Sequence, residues 1–507
     1  MYNQEDSFDR ELMDLMPEEV PEDLGEEVNP WYKPILQIVW GLGLTSIQLH
    51  FFSLDAILPA IGWLLLLLGF RTLRQENKWF RITWITALIG ISATLFGLLV
   101  NSTIWAGTVY SSSAYVSFSK MLMFLSPVMD LSFWLGLRRI RRKAGLNPGA
   151  WAALVLLFWH LLILVLAVSQ INSMVFMIVL LAAYIGILVC LSQIPKALRQ
   201  AGFECRAASV LASDRVLVCT LTGIAVVGVV CGMLFCQKYP MDWTPVSNED
   251  NQQVQQVKED LIDLGFPDFV LQDLRDEEVL ALQGATRVVS GSDIHPVNEG
   301  RDVTWKENNT YYTDHVYDKK ELRITGVAVL LPGEQEQWQI IHHFLWEEQP
   351  KFFGTESIRI IPTDYNLDGW LRNDGLNGRV LCEKNGETME APFWFLGEKE
   401  AISSGFFGSP STQTDVFAAF SLPGKASRQR GYISYQVSEL VDGCILDSWI
   451  YYTHRDSPLL YPNQSALDHQ LSGVWDLKHR FPTIQTSVQF YPFREGNDLF
   501  GYENRDS

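Results

Sequence analysis

The sequence predicts a bundle of membrane-spanning helices followed by a mainly antiparallel β-sandwich, with a short helical segment between them. Three observations predict it: a long apolar block with few charges, Lys and Arg mostly in alternate loops of that block, and a change to short β-rich runs beyond it. Of the 507 residues, 1–30 hold 1 basic and 11 acidic side chains, 31–236 hold 15 and 5, and 237–507 hold 23 and 42. The whole-chain charge of −19 therefore conceals three unlike segments. Ordinary soluble domains are about 25% charged, so the sparse middle block excludes a single soluble globular protein. With 48% hydrophobic residues the chain is not a disordered one either.

Residues 1–33 read as an acidic cytoplasmic tail. Phe8, Leu12, Leu15 and Met16 recur at helical spacing after Ser7, a good N-cap. A solvated tail and an amphipathic helix that docks on a basic cytoplasmic protein both fit this pattern. Its acidity disfavours an anionic lipid surface.

Residues 34–236 read as the transmembrane domain. Crossing a hydrocarbon core of about 30 Å takes about 20 mostly apolar residues, because each backbone polar group must be satisfied within the helix. Stretches 35–52, 55–70, 82–100, 116–137, 150–168, 174–193 and 216–236 are the seven expected spans. Only Ser53, Leu54 and Asp55 separate the first two, and Pro59 lies early in the second, so a re-entrant hairpin is the alternative there. The loops after the second, fourth and sixth spans carry Arg71 to Arg81, Arg138 to Lys143 and Lys196 to Arg215, whereas the intervening loops carry no Lys or Arg. Since cytoplasmic loops collect basic residues, this alternation predicts the amino terminus inside and the carboxy-terminal domain outside. No basic-then-apolar cleavable signal is expected in the acidic first 30 residues. Ionisable side chains inside spans are functional candidates. Asp130 and His160 are placed at similar depths on the fourth and fifth spans, and a buried hydrogen bond between them is expected. It serves either as a lock between helices or as a proton relay.

Residues 237–290 read as a helical neck outside the membrane. Val254, Val257, Leu261 and Leu264 mark one helix ended by Gly265, and Val270, Leu271, Leu274, Val279, Leu280 and Leu282 continue after the Phe266-Pro267 turn. Residues 291–507 read as an extracellular β-sandwich-like domain. Strands are expected at 322–331, 336–346, 378–383, 388–396, 414–421, 430–438, 444–453 and 485–493, with turns at Pro332-Gly333 and Asn385-Gly386.

Several patterns in this domain bear on chemistry. Asp364, Asn366 and Asp368 before Gly369, with Asp374 beyond, resemble the first half of a calcium-binding EF-hand loop. Gly375 stands where that loop has its bidentate Glu, so a helix-free calcium loop and an Asx-rich turn are the two readings. His342 alternates with Trp338, Ile340, Phe344 and Trp346, while adjacent His343 points to the other face. Trp449 and Tyr451 form either an aromatic platform for sugar or peptide or part of the core. Cys382 and Cys444, the two cysteines of this domain, are a candidate disulfide on the oxidising side. No nucleotide-binding, hydrolase, zinc-protease or CxxC motif occurs, so no catalytic residue is assigned. The acidic balance excludes nucleic acid.

The run from Asn29-Pro30-Trp31 to Arg81, with ILPAIGWLLLLLGFRTLRQENKWFR, and the segment Leu264-Gly265-Phe266-Pro267 are similar to uncharacterised multi-pass membrane proteins of Gram-positive bacteria with an extracellular β-rich domain. The resemblance implies location and architecture only. The expected function is sensing or binding at the cell surface. An extracellular ligand, peptide or glycan, is coupled through the tail to a cytoplasmic partner, with an anti-sigma-like variant included. The alternatives are a subunit of a transport or export system and a cell-envelope enzyme.

Overall fold

The computed structural model describes residues 30–46, 54–169, 174–203, 212–246, 251–298, 300–307, 310–362, 369–373, 375–403, 411–472, 480–494 and 499. The chain forms two compact units, Met1–Gly232 and Met233–Ser507.

The first unit is helical: α1 (Tyr32–Ser46), α2 (Leu54–Leu73), α3 (Lys78–Val100), α4 (Ala106–Ser111), α5 (Ser113–Leu122), α6 (Leu125–Lys143), α7 (Trp151–Ser169), α8 (Met174–Ser192), α9 (Ile194–Gln200) and α10 (Asp214–Phe235). Each of α1, α2, α3, α6, α7 and α8 packs on the next, and α8 returns to α1, which closes a six-helix ring. Phe70, Phe80 and Phe133 meet inside it, with centroids 5.4–6.4 Å apart. Gly41 and Gly62 let α1 and α2 approach closely: a Cβ on either would lie 2.8 Å from the other's carbonyl oxygen. Small residues are the usual means of such contact between apolar helices. Five stretches among the described residues are long and apolar enough to cross a membrane: Leu54–Leu73, Lys78–Val100, Ser113–Lys143, Ile178–Gln200 and Asp214–Phe235. Of the expected first span, 35–52, residues 47–52 lie outside the described residues; its described part belongs to α1, whose 15 residues reach about 22 Å. The expected fourth span, 116–137, falls within Ser113–Lys143, with a turn at Met123 and Phe124 between α5 and α6.

The second unit is layered. Strands β1 (Thr244–Pro245), β2 (Arg287–His295), β5 (Leu322–Leu330), β6 (Gln337–Trp346), β8 (Trp370–Arg372), β9 (Asn377–Lys384), β10 (Glu387–Ala391) and β13 (Ser427–Glu439) make one antiparallel sheet. The other sheet holds β7 (Glu356–Ile361), β11 (Phe395–Ser403), β12 (Ser411–Phe420), β14 (Leu446–His454) and β15 (Thr483–Phe490). Trp338, Ile340, Phe344, Ile358, Ile360, Val416, Phe420 and Tyr452 fill the space between the sheets. The hairpin at Asn385-Gly386 has both residues at positive φ, 56° and 85°, as its two-residue turn requires. β3 (Arg301–Glu307) and β4 (Thr310–Val316) form a separate two-stranded hairpin.

The helical neck is a layer of this same unit. α11 (Gln252–Asp263), α12 (Asp268–Leu271) and α13 (Asp276–Ala281) bury Val254, Val257, Leu261, Val270 and Val279 against Val327, Val329, Ile341 and Leu381 on the outer face of the larger sheet. An amphipathic helix of this kind has no other means of removing its apolar stripe from water. Asn251 caps α11, and Gly265 follows it at φ 91°. On the smaller sheet, α14 (Ala466–Ser472) covers the outer face, where Gln470 accepts from Ser357 and donates to the Tyr451 carbonyl. The expected strand 388–396 is two elements, because Pro392 between β10 and β11 has no N–H for a sheet ladder.

Candidate functional site

Within the helical unit the structure brings Asp130 and His160 together. His160 Nδ1 lies 2.5 Å from Asp130 Oδ2, and the Asp130 side chain is fully buried. Asp130 Oδ1 is buried without a partner among the described residues. Beside the pair, Trp159 stacks on Tyr184 at 4.2 Å, and the Tyr184 hydroxyl donates to the Leu42 carbonyl and accepts from Ser46. Thr83 and Ser132 share a second buried hydrogen bond of 2.8 Å between α3 and α6. Tyr184 and Ser46 were legible by the same signal as Asp130, a polar group in an apolar run, but their partners depend on the ring closing α8 onto α1.

The two histidines of β6 face opposite layers. His342 points between the sheets, where Nε2 meets Ser448 Oγ at 2.7 Å and burial pushes its pKa down to about 3. His343 points to the helical layer, where Nε2 lies 2.9 Å from Asp273 Oδ2. Asp273 sits between α12 and α13 and also accepts from Arg430 Nε, while Arg379 donates twice to its carbonyl and once to Glu390. Burial opposes the charge on Asp273, but the His343 and Arg430 contacts outweigh it and hold the carboxyl below its ordinary value. These groups floor a cleft of about 900 Å³ between helices and sheet. Their charges are spent on one another, so they latch the helical layer to the sheet.

A second cleft, of about 740 Å³, has different chemistry at its floor. Glu356 and His454 are direct cross-strand partners in the β7–β14 pair, and His454 Nδ1 lies 2.8 Å from Glu356 Oε1. Burial pushes the Glu356 carboxyl up, against the pull of His454. His454 and Asp456 line the cleft, and among the described residues no hydrogen bond from the chain engages His454 Nε2 or the Asp456 carboxylate. The walls are ordered: Arg301 pairs with Asp318 at 2.7 Å and Lys319 with Glu348 at 2.6 Å. Nothing in the sequence announces the Glu356–His454 dyad, whose members stand 98 residues apart.

The remaining candidates fall as follows. Cys382 and Cys444 are free thiols rather than a disulfide. Cys382 is buried mid-strand in β9 opposite Met389, whereas Cys444 packs beside Gly369, so each sulfur is held by its own neighbours. Trp449 and Tyr451 are half-buried on the outer face of β14, and Tyr452 is in the core, its hydroxyl accepting from Trp346 Nε1 at 3.0 Å. Asp364, Asn366, Asp368 and Asp374, the calcium candidates, lie outside the described residues, as do Phe8, Leu12, Leu15 and Met16 of the tail. Among the described residues no group of three His, Cys, Asp or Glu is placed to hold a metal ion.

The class these features define is a membrane protein in which apolar helices carry a layered β unit. No known protein-family model matches the chain, and no curated protein matches it.

Proposed function

We propose that this chain is a cell-surface binding protein, with its amino terminus in the cytoplasm and its β unit outside the cell. The observation that carries the reading is the second cleft: it is within the size range of small-molecule and oligomer sites, and it presents unspent polar groups on a rigid sandwich. The alternation of basic loops supports the orientation. The acidic tail then faces the cytoplasm, and Phe8, Leu12, Leu15 and Met16, at helical spacing in the sequence, are its proposed docking residues for a basic partner. Protease added to intact cells should remove a carboxy-terminal tag and spare an amino-terminal one; a protected carboxy-terminal tag refutes the orientation.

A second reading, proton-coupled transport, is favoured by one observation. Asp130 Oδ1, without a hydrogen-bond partner among the described residues, lies at the Asp130–His160 bond in a ring of helices, the setting in which intramembrane carboxylates mark ion paths. Proteoliposomes carrying the protein should then pass protons, and Asp130→Asn should abolish the flux. Equal flux in the variant removes this reading.

A further inference from the structure

We infer that the second cleft and the β3–β4 hairpin form one elongated site for a glycan. The inference rests on the surface-binding reading and names its ligand class. Two observations carry it: the make-up of the cleft and its continuity with an aromatic platform.

The cleft offers a hydroxyl-rich ligand both kinds of hydrogen-bonding group. His454 Nε2, oriented by Glu356, and the Asp456 carboxylate stand at the floor; Gln349 lies on the wall. Val297, Trp346 and Pro350 are the apolar side chains of its lining, with Trp346 almost wholly buried and Val297 nearly so; the other side chains there are polar or charged. A peptide anchors itself through apolar side-chain pockets or by extending a sheet edge. A cleft lined mainly by polar and charged side chains, whose aliphatic stems supply its apolar surface, suits the mixed hydroxyl and C–H faces of a sugar better.

The base of the hairpin is a wall of the same cleft, through Gly300, Arg301 and Asp318. Along β3 alternate residues share a face, so Arg301 at the cleft and Trp305 near the tip point the same way, about 13 Å apart at strand spacing. Tyr312, the cross-strand partner of Trp305, stacks with it at 4.9 Å and 24°. The indole N–H is held by Asp314 at 2.6 Å, which fixes the ring before any ligand arrives. Trp305 is 42% exposed and Tyr312 44%, although a monomer gains nothing by holding stacked aromatics in water. The C–H face of a pyranose ring packs on such a π surface while its rim of hydroxyls stays free to hydrogen-bond. The site therefore reads as a stacking subsite at Trp305 and a hydrogen-bonding subsite at His454.

The test uses the full-length protein in detergent, titrated with oligosaccharides of β-1,4-glucose, β-1,4-N-acetylglucosamine and α-1,4-glucose, and with an oligoalanine peptide. Binding is read by calorimetry and by quenching of tryptophan fluorescence. One of the oligosaccharides should bind saturably, and Trp305→Ala should weaken it about tenfold or more. Asp456→Asn, at the other subsite, should also weaken it. Tyr311→Ala, on the opposite face of the hairpin, should leave it unchanged. Trp305 is exposed, so its loss does not threaten the fold. Failure of every oligosaccharide to saturate at about 10 mM overturns the proposal, as does full binding by Trp305→Ala. Peptide binding that depends on Trp305 overturns the glycan class while leaving surface binding intact, and the protease experiment on intact cells judges orientation separately.

Discussion

His342 shows how burial turns an ionisable residue into a structural one. Its folded pKa is about 3, against about 6.5 in an unfolded chain. Between those values the unfolded state binds a proton that the native state refuses, so stability falls as pH drops through that window, by at most roughly 1.4 kcal/mol per unit. His342→Gln, which can still reach Ser448, should flatten the acid limb of the unfolding free energy measured in urea; an unchanged slope between neutral and mildly acidic pH contradicts this. The Asp130–His160 pair answers to a different experiment. Removing one partner of a buried pair costs about 3–5 kcal/mol, whereas replacing both by apolar residues is often neutral. Asp130→Leu alone should therefore lower the thermal midpoint in detergent far more than Asp130→Leu with His160→Leu. At Cys382, burial pushes the thiol up to about 11, so the native protein should resist maleimide at this position. Non-reducing and reducing gels should give the same mobility, because Cys382 and Cys444 are unbonded.

At the scale of the element, Gly62 in the helical unit and Asp273 in the β unit each hold neighbouring elements together, by opposite means. At Gly62 the absence of a side chain permits contact, and Gly62→Leu should separate α1 from α2 and cost about 1–3 kcal/mol or more in a detergent unfolding assay. At Asp273 a single carboxylate joins the helical layer to β6 and β13, and Asp273→Ala leaves His343 and Arg430 buried without it. Hydrogen exchange should then quicken in α11–α13 before it does in the sheet. Because the Asp273 pKa is depressed, this stabilisation is present above the ordinary carboxylate range and is lost as pH falls through the folded value. The elements themselves were largely legible. Asn251, Gly265 and the Val254–Leu261 stripe announce α11, and alternation announces β5, β6 and β13. β1, β2, β3, β4, β7 and β8 were not: β3 and β4 form an exposed hairpin, β1, β7 and β8 are short, and β2 runs through the polar stretch Ser290-Gly291-Ser292-Asp293.

For the whole molecule, the charge distribution is an experiment in itself. If basic loops orient the chain, neutralising Arg138, Arg139, Arg141, Arg142 and Lys143 together should weaken the orientation, read as a mixed population in the protease-accessibility assay. Replacing the acidic residues of the tail should not, because acidic residues contribute little to orientation. By itself the sequence determined the division into a charged tail, apolar helices and a β-rich remainder, since burial periodicity and charge are local properties. It also placed Asp130 and His160 at comparable depth, because helical rise is constant. Only the tertiary structure decided that the helices before β2 are a layer of the β unit. It alone showed which partners the two β6 histidines meet on their opposite faces, Ser448 and Asp273, and that Glu356 meets His454 beside the hairpin base. Those facts depend on strand order and register, through which residues far apart in the chain become neighbours, and no local pattern records which strands will pair.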